Sequence, residues 1–118
     1  MASVAYKDCY SYIGLDLEKT NRLSSSAMKR ITHPLEVTMV AGNQLNASIL
    51  FSLKEAFFKA QFPHWHTVGS FRELALSLDF DEGTANIQQL DLRFAKELND
   101  LSLAFEIVDE YVLSLVWS

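Results

Sequence analysis

Apolar residues in the middle of this chain recur at helical spacing, whereas those in its last third alternate with polar ones. From 43 to 62, Leu45, Ile49, Leu53, Phe57 and Ala60 form one stripe, which predicts an amphipathic helix stopped by Pro63. Ser52-Leu-Lys-Glu55 also has the form of a capping box, but the stripe runs straight through it, so Ser52 is placed inside the helix. Upstream, residues 10–17 alternate as a strand does and lead into Asp16-Leu-Glu18. Residues 24–31 read as a short helix capped by Ser24 or Ser25, with Pro34 ending it or opening the next element. Downstream, Leu74/Leu76/Leu78/Phe80, Leu90/Leu92/Phe94, Leu101/Leu103/Phe105/Ile107 and Tyr111/Leu113/Leu115/Trp117 alternate, and Asp81-Glu-Gly-Thr84 supplies a glycine for a hairpin. A single helix over 87–116 also fits the spacing. Such a helix would be apolar nearly all round at its end and rich in β-branched residues, so the antiparallel meander is preferred.

These elements predict an α+β fold, a long helix packed on an antiparallel sheet, in one domain over residues 1–118. The length of 118 residues and the 49% hydrophobic content are enough to close a core. The apolar runs are far short of the roughly 20 residues of a membrane span, and no basic-then-apolar leader pattern opens the chain; no membrane association and a cytoplasmic location are expected. The lone Cys9 reads as a reduced, packed thiol, and Asn46-Ala-Ser48 as an accidental sequon. The net charge of −5 is uneven: residues 1–60 hold seven Lys/Arg against five Asp/Glu, and residues 61–118 three against ten. Phosphate or acidic partners therefore belong to the first half. Lys19, Arg22, Lys29 and Arg30 fit either such a role or an ordinary solvated helix face, and nothing in the pattern suggests nucleic-acid binding.

The chemistry-bearing residues cluster in that half. Asp16 and Glu18 are two apart and share one face of an extended chain, where two carboxylates repel unless a cation lies between them. Glu55 and Lys59 are neighbours on the helix face opposite the apolar stripe, with Lys54 beside them. If the strand end meets this face, three carboxylates would suit a hard divalent ion while lysines stand ready for phosphate oxygens. By spacing alone, an ordinary strand-end acidic pair and a surface Glu–Lys pair are the commoner explanation.

The order of the segments adds to this. Gly14-Leu-Asp16-Leu-Glu18, then Phe51-Ser-Leu-Lys54-Glu55-Ala-Phe-Phe-Lys59, resemble the two carboxylate motifs of Sfp-type 4′-phosphopantetheinyl transferases. The likeness extends from about Val4 to the end, through Glu18-Lys-Thr20, Phe62-Pro63 (as in the enterobactin-type branch) and the alternating sheet ending in Trp117. It implies a single module equivalent to that family's second, magnesium-binding one, with Asp16, Glu18 and Glu55 holding Mg²⁺. It further implies coenzyme A as co-substrate, contacted by Lys59, Lys54 and Gly14, and Glu55 and Lys59 as catalytic groups. The implied activity is transfer of 4′-phosphopantetheine from coenzyme A to a serine of an acyl or peptidyl carrier protein. The competing reading is a non-catalytic module of that fold, or a small acidic adaptor that binds a partner without turnover. Sfp-type enzymes contain two similar modules, whereas the small holo-acyl-carrier-protein synthases build sites between identical single ones. A homo-oligomer or a separate first-module partner is thus the expected completion.

Other clusters carry less. His33 precedes Pro34 in a loop, and His64 and His66 flank Trp65 with no third ligand at a useful spacing. Asp79-Phe-Asp81-Glu82 fails as a calcium loop, because Thr84 stands where glycine is required and Leu90 where a bidentate glutamate is needed. The aromatics Phe57, Phe58, Phe62 and Trp65 suit a pantetheine channel, although core packing is the simpler role for Phe57.

Overall fold

A computed structural model describes residues 12–65, 70–94 and 96–118. Cys9, Tyr10, His66 and the side chains of His64 and Trp65 lie outside what it describes, so the expectations for them are not addressed.

The chain runs β1 (Ile13–Lys19), α1 (Ser25–Ile31), a 3-10 turn (Pro34–Glu36), α2 (Val37–Val40), α3 (Gln44–Trp65), a 3-10 turn (Phe71–Glu73), β2 (Leu74–Asp79), β3 (Thr84–Leu90), a 3-10 segment (Lys96–Asp100), β4 (Ser102–Val108) and β5 (Tyr111–Trp117). The strands make one antiparallel sheet in the order β1-β5-β4-β3-β2, and α3 packs across it. The fold is therefore α+β, a long helix on a five-stranded sheet, and the meander over the last third is correct.

Local chemistry explains most boundaries. Ser24 Oγ accepts from Ala27 N and caps α1, and Asn43 Oδ1 accepts from Asn46 N at the start of α3. Ala41 and Gly42, both at positive φ, turn the chain from α2 into α3. In the β2–β3 hairpin Asp79 Oδ1 takes the amides of Asp81 and Glu82, and Gly83 sits at φ +67°.

Two expectations are corrected. Pro63 does not stop α3, which continues to Trp65. Proline deprives the Lys59 carbonyl of its helical donor, a loss of one bond that is tolerable in a final turn. The strand expected at Leu90/Leu92/Phe94 ends at Leu90. Asp91 Oδ1 accepts from Arg93 N and Asp91 O from Phe94 N, forming a turn that leaves Leu92 97% exposed and buries Phe94.

The core lies between α3 and the sheet, with Ile49, Leu50, Leu53, Phe57, Leu74, Leu76, Val112 and Val116 almost wholly buried. Leu45, expected in that stripe, is exposed instead. The far face of the sheet is different. Ile13, Leu15 and Leu17 of β1 lie opposite Trp117, Leu115 and Leu113 of β5, and Leu17, Leu113, Tyr111 and Val108 are open to solvent.

Candidate active site at the β1–α3 contact

Alternation along β1 turns Gly14, Asp16 and Glu18 toward α3 and leaves Leu17 and Lys19 exposed. The helix face they meet is a column of small residues four apart. Ser48 Oγ donates to Thr20 O at 3.2 Å and Ser52 Oγ to Asp16 O at 3.4 Å. Ala56 and Ala60 lie so close to Gly14 that a Cβ there would stand 2.0 Å from Ala56 O and 2.8 Å from Ala60 N. Helix and strand thus touch backbone to backbone, and the next residues round the helix, Glu55 and Lys59, arrive beside the strand's carboxylates. Gly14 was expected to contact coenzyme A; it is buried against α3, and its place in the fold is this close approach.

Lys59 Nζ lies 2.8 Å from Asp16 Oδ1 and also donates to Leu15 O at 3.3 Å. The Asp16 hydrogen bond comes first among the causes that raise the Lys59 ammonium's pKa, and the charges of Glu55 and Glu18 act the same way. Glu18 is pushed up to about 7 by partial burial, by the Asp16 charge and a hydrogen bond with it, and by Glu55, while Arg22 opposes the rise. Burial, then the Asp16 charge, raises Glu55, and Lys59 opposes this. Asp16 Oδ2 is buried and has no hydrogen-bond partner among the described residues. A protonated Glu18 would supply that oxygen with a donor. The cross-strand neighbour of Asp16 on β5 is Ser114, whose buried Oγ is likewise without a partner.

A cavity of about 260 Å³ borders the cluster, lined by Glu18, Lys19, Arg22, Leu23, Ser48 and Phe51. A larger groove of about 570 Å³ lies elsewhere, against α1 and α2 with Lys29 and Arg72 on its wall, and holds none of the carboxylates. The smaller cavity is the one that chemistry favours, because it meets ionisable groups with shifted protonation.

Lys54 is a correction. It does not stand with Glu55 and Lys59 but is wholly buried, its Nζ 2.6 Å from Glu36 Oε1 and donating to Ile31 O and Phe71 O. Glu36 in turn accepts from His33 N and Leu76 N. Burial lowers the Lys54 ammonium's pKa, against the pull of Glu36. This polar knot, with every Lys54 proton directed at an oxygen, fastens α3 to the end of α1, both intervening turns and β2. In this arrangement the Lys54 ammonium faces protein oxygens on the side away from Asp16, Glu18 and Lys59. The signal lay in the helical neighbours of Lys54, namely Leu50, Phe51, Phe57 and Phe58, all apolar. Phe51, Phe58 and Phe71 pack together, and Phe57 and Phe58 meet Phe94, so Phe57 and Phe58 belong to the core. Phe62 is exposed.

Hard oxygen donors from Asp16, Glu18 and Glu55 suit a divalent cation. The partnerless Asp16 Oδ2 and the mutual crowding that raises Glu18 and Glu55 are what such a cation would relieve. Among the described residues no three such side chains are gathered into a finished ligand set, and an ammonium, that of Lys59, occupies Asp16 Oδ1.

Residues 12–116 match the family model of the 4′-phosphopantetheinyl transferase superfamily (ACPS), and the chain belongs to that superfamily. The fold is similar to that of holo-[acyl-carrier-protein] synthases. The Thermotoga maritima enzyme superposes with a TM-score of 0.71 at 20% identity, over 92% of this chain and 62% of that one. The Neisseria meningitidis enzyme gives 0.69 at 23%, covering 92% and 97% of the two chains. The Helicobacter pylori enzyme, solved in complex with coenzyme A, gives 0.64 at 23%, covering 90% and 99%. This chain therefore spans less than two thirds of the Thermotoga protein but nearly all of the other two. These neighbours are holo-[acyl-carrier-protein] synthases of the AcpS type rather than the Sfp type that the motifs resembled. No curated protein matches the sequence.

Proposed function

We propose that this protein transfers 4′-phosphopantetheine from coenzyme A to a serine hydroxyl of an acyl or peptidyl carrier protein, using the site at the β1–α3 contact. The observation that carries the reading is the meeting of Asp16, Glu18, Glu55 and Lys59 in one place, although 43 residues separate Asp16 from Lys59. Superfamily membership and the synthase-like fold support it.

In this reading Asp16, Glu18 and Glu55 would hold Mg²⁺, which would supply positive charge to the pyrophosphate of coenzyme A as the serine oxygen bonds to the β-phosphorus, the pyrophosphate P–O bond breaks and 3′,5′-adenosine bisphosphate leaves. The protein's own groups do the rest. Lys59, on a half-exposed stem, meets phosphate oxygens. Glu55, whose pKa is raised by burial and by Asp16, is the group placed to take the proton of the attacking serine hydroxyl. The motifs favour the second module of an Sfp-type enzyme and the fold favours a single-module synthase. The exposed apolar face formed by β1, β5 and β4 supports completion by a second copy or a separate module.

The test is mass spectrometry of an apo carrier protein incubated with this protein, coenzyme A and Mg²⁺, beside an Asp16→Ala control. A gain of one phosphopantetheine that the control lacks establishes the activity. No gain across several carrier proteins, with coenzyme A still bound, would instead identify a non-catalytic module.

A further inference from the structure

The two members of the Lys59–Asp16 pair differ in freedom. The Asp16 side chain is 4% exposed and its strand is locked on α3 through Gly14 and Ser52, whereas the Lys59 side chain is 53% exposed. The Lys59 backbone is fixed beside Ala60, which packs on Gly14, so its ammonium moves on a flexible stem while the carboxylate stays. That ammonium interacts with all three carboxylates of the cluster and contacts Asp16 Oδ1 directly. A compact monovalent cation thus already stands among the oxygens that suit a divalent one, and two cations drawn to one oxygen repel each other.

We infer that Lys59 is a built-in counter-ion, which competes with a divalent cation for Asp16 Oδ1 and is displaced toward solvent, and toward phosphate, when the cation enters. The inference rests on the carboxylate-site reading above and adds an internal competitor to it. Asp16 Oδ2, without a hydrogen-bond partner among the described residues, offers the opposite course, in which the metal takes that oxygen and Lys59 stays in place.

The experiment is calorimetric titration of the full chain with Mn²⁺, without coenzyme A, for wild type, Lys59→Met, Lys59→Arg and Arg22→Gln. Arg22 acts on Glu18 through its charge and serves as the control for a general loss of positive charge. Displacement predicts that Lys59→Met binds about tenfold more tightly than wild type, the equivalent of one lost charged hydrogen bond. It also predicts that Lys59→Arg stays near wild type and that Arg22→Gln changes affinity about twofold or less. Equal or weaker binding by Lys59→Met, or equal tightening by the Lys59 and Arg22 replacements, would overturn the competition and leave the carboxylate site standing. Absence of Mn²⁺ binding in all four folded proteins would overturn the site itself, and the inference with it.

Discussion

Replacing Glu18 by glutamine removes one of three carboxyls that crowd each other and leaves a side chain of nearly the same shape, able to donate to Asp16. Glu18 has its pKa raised from 4.5 to about 7 in the folded protein. A raised acid contributes stability that is fully present below its unfolded value, about 4.5, and is lost as pH rises through about 7, because ionisation costs more in the fold than in the unfolded chain. At about 1.36 kcal/mol per pH unit such a gap is worth on the order of 3 kcal/mol before screening. Glu18 is only partly buried, and screening by solvent reduces this to about 1 kcal/mol. Glu18→Gln should therefore stabilise the metal-free protein by about 1 kcal/mol at about pH 8, a rise of about 4 °C in Tm for a chain of this size, and by close to nothing at about pH 5. Urea denaturation in the presence of a chelator, at both pH values, measures the difference. Added Mg²⁺ should then narrow it, since wild type has the more complete ligand set to gain from. A variant that is less stable than wild type at the higher pH, or a difference that does not change with pH, would refute the crowding argument.

Other outcomes follow from the same geometry. Lys54→Met should lose about 3–5 kcal/mol in denaturant melts, because it strands a buried Glu36, and pairing it with Glu36→Gln should recover part of that loss. Gly14→Ala should lose at least about 1–3 kcal/mol and weaken metal binding as well, since a methyl there can be housed only by prising β1 off α3. Glu55→Gln should keep the circular-dichroism spectrum of wild type and abolish phosphopantetheine transfer to a carrier protein. Leu17→Glu combined with Leu113→Lys should lower the molar mass found by light scattering, if the open sheet face joins copies, without changing the fold.

The helix α3, the alternating strands and the hairpin glycine could be read from the sequence because each depends on neighbours within a few positions. The pairing of Asp16 with Glu18 on one face and of Glu55 with Lys59 on another was legible for the same reason, and the two motifs in order suggested that the faces meet. Lys54 was misplaced because the sequence does not show that its partner Glu36, eighteen positions earlier, is buried with it. Its position next to Glu55 in the motif drew it to the wrong side of the helix, while its apolar helical neighbours pointed inward. The Ser48/Ser52/Ala56/Ala60 column had a helical period too, but small residues register weakly on a hydrophobic scale. Its meaning appears only once Gly14 lies against it.

The sheet also has a weak seam. Among the described residues β3 and β4 share two register pairs, Thr84 with Ala104 and Ala85 with Leu103, while the Asp16 strand sits at the opposite edge, beside β5. The β2–β3 hairpin is instead fastened from above, through Leu76 N on Glu36. Its amides should therefore exchange hydrogen as one cooperative unit, ahead of β1, β5 and α3, and local opening there would leave the carboxylate cluster assembled. The molecule would then divide into a slow-exchanging half that carries the chemistry and a faster half in which longer turns should be accepted without disturbing it.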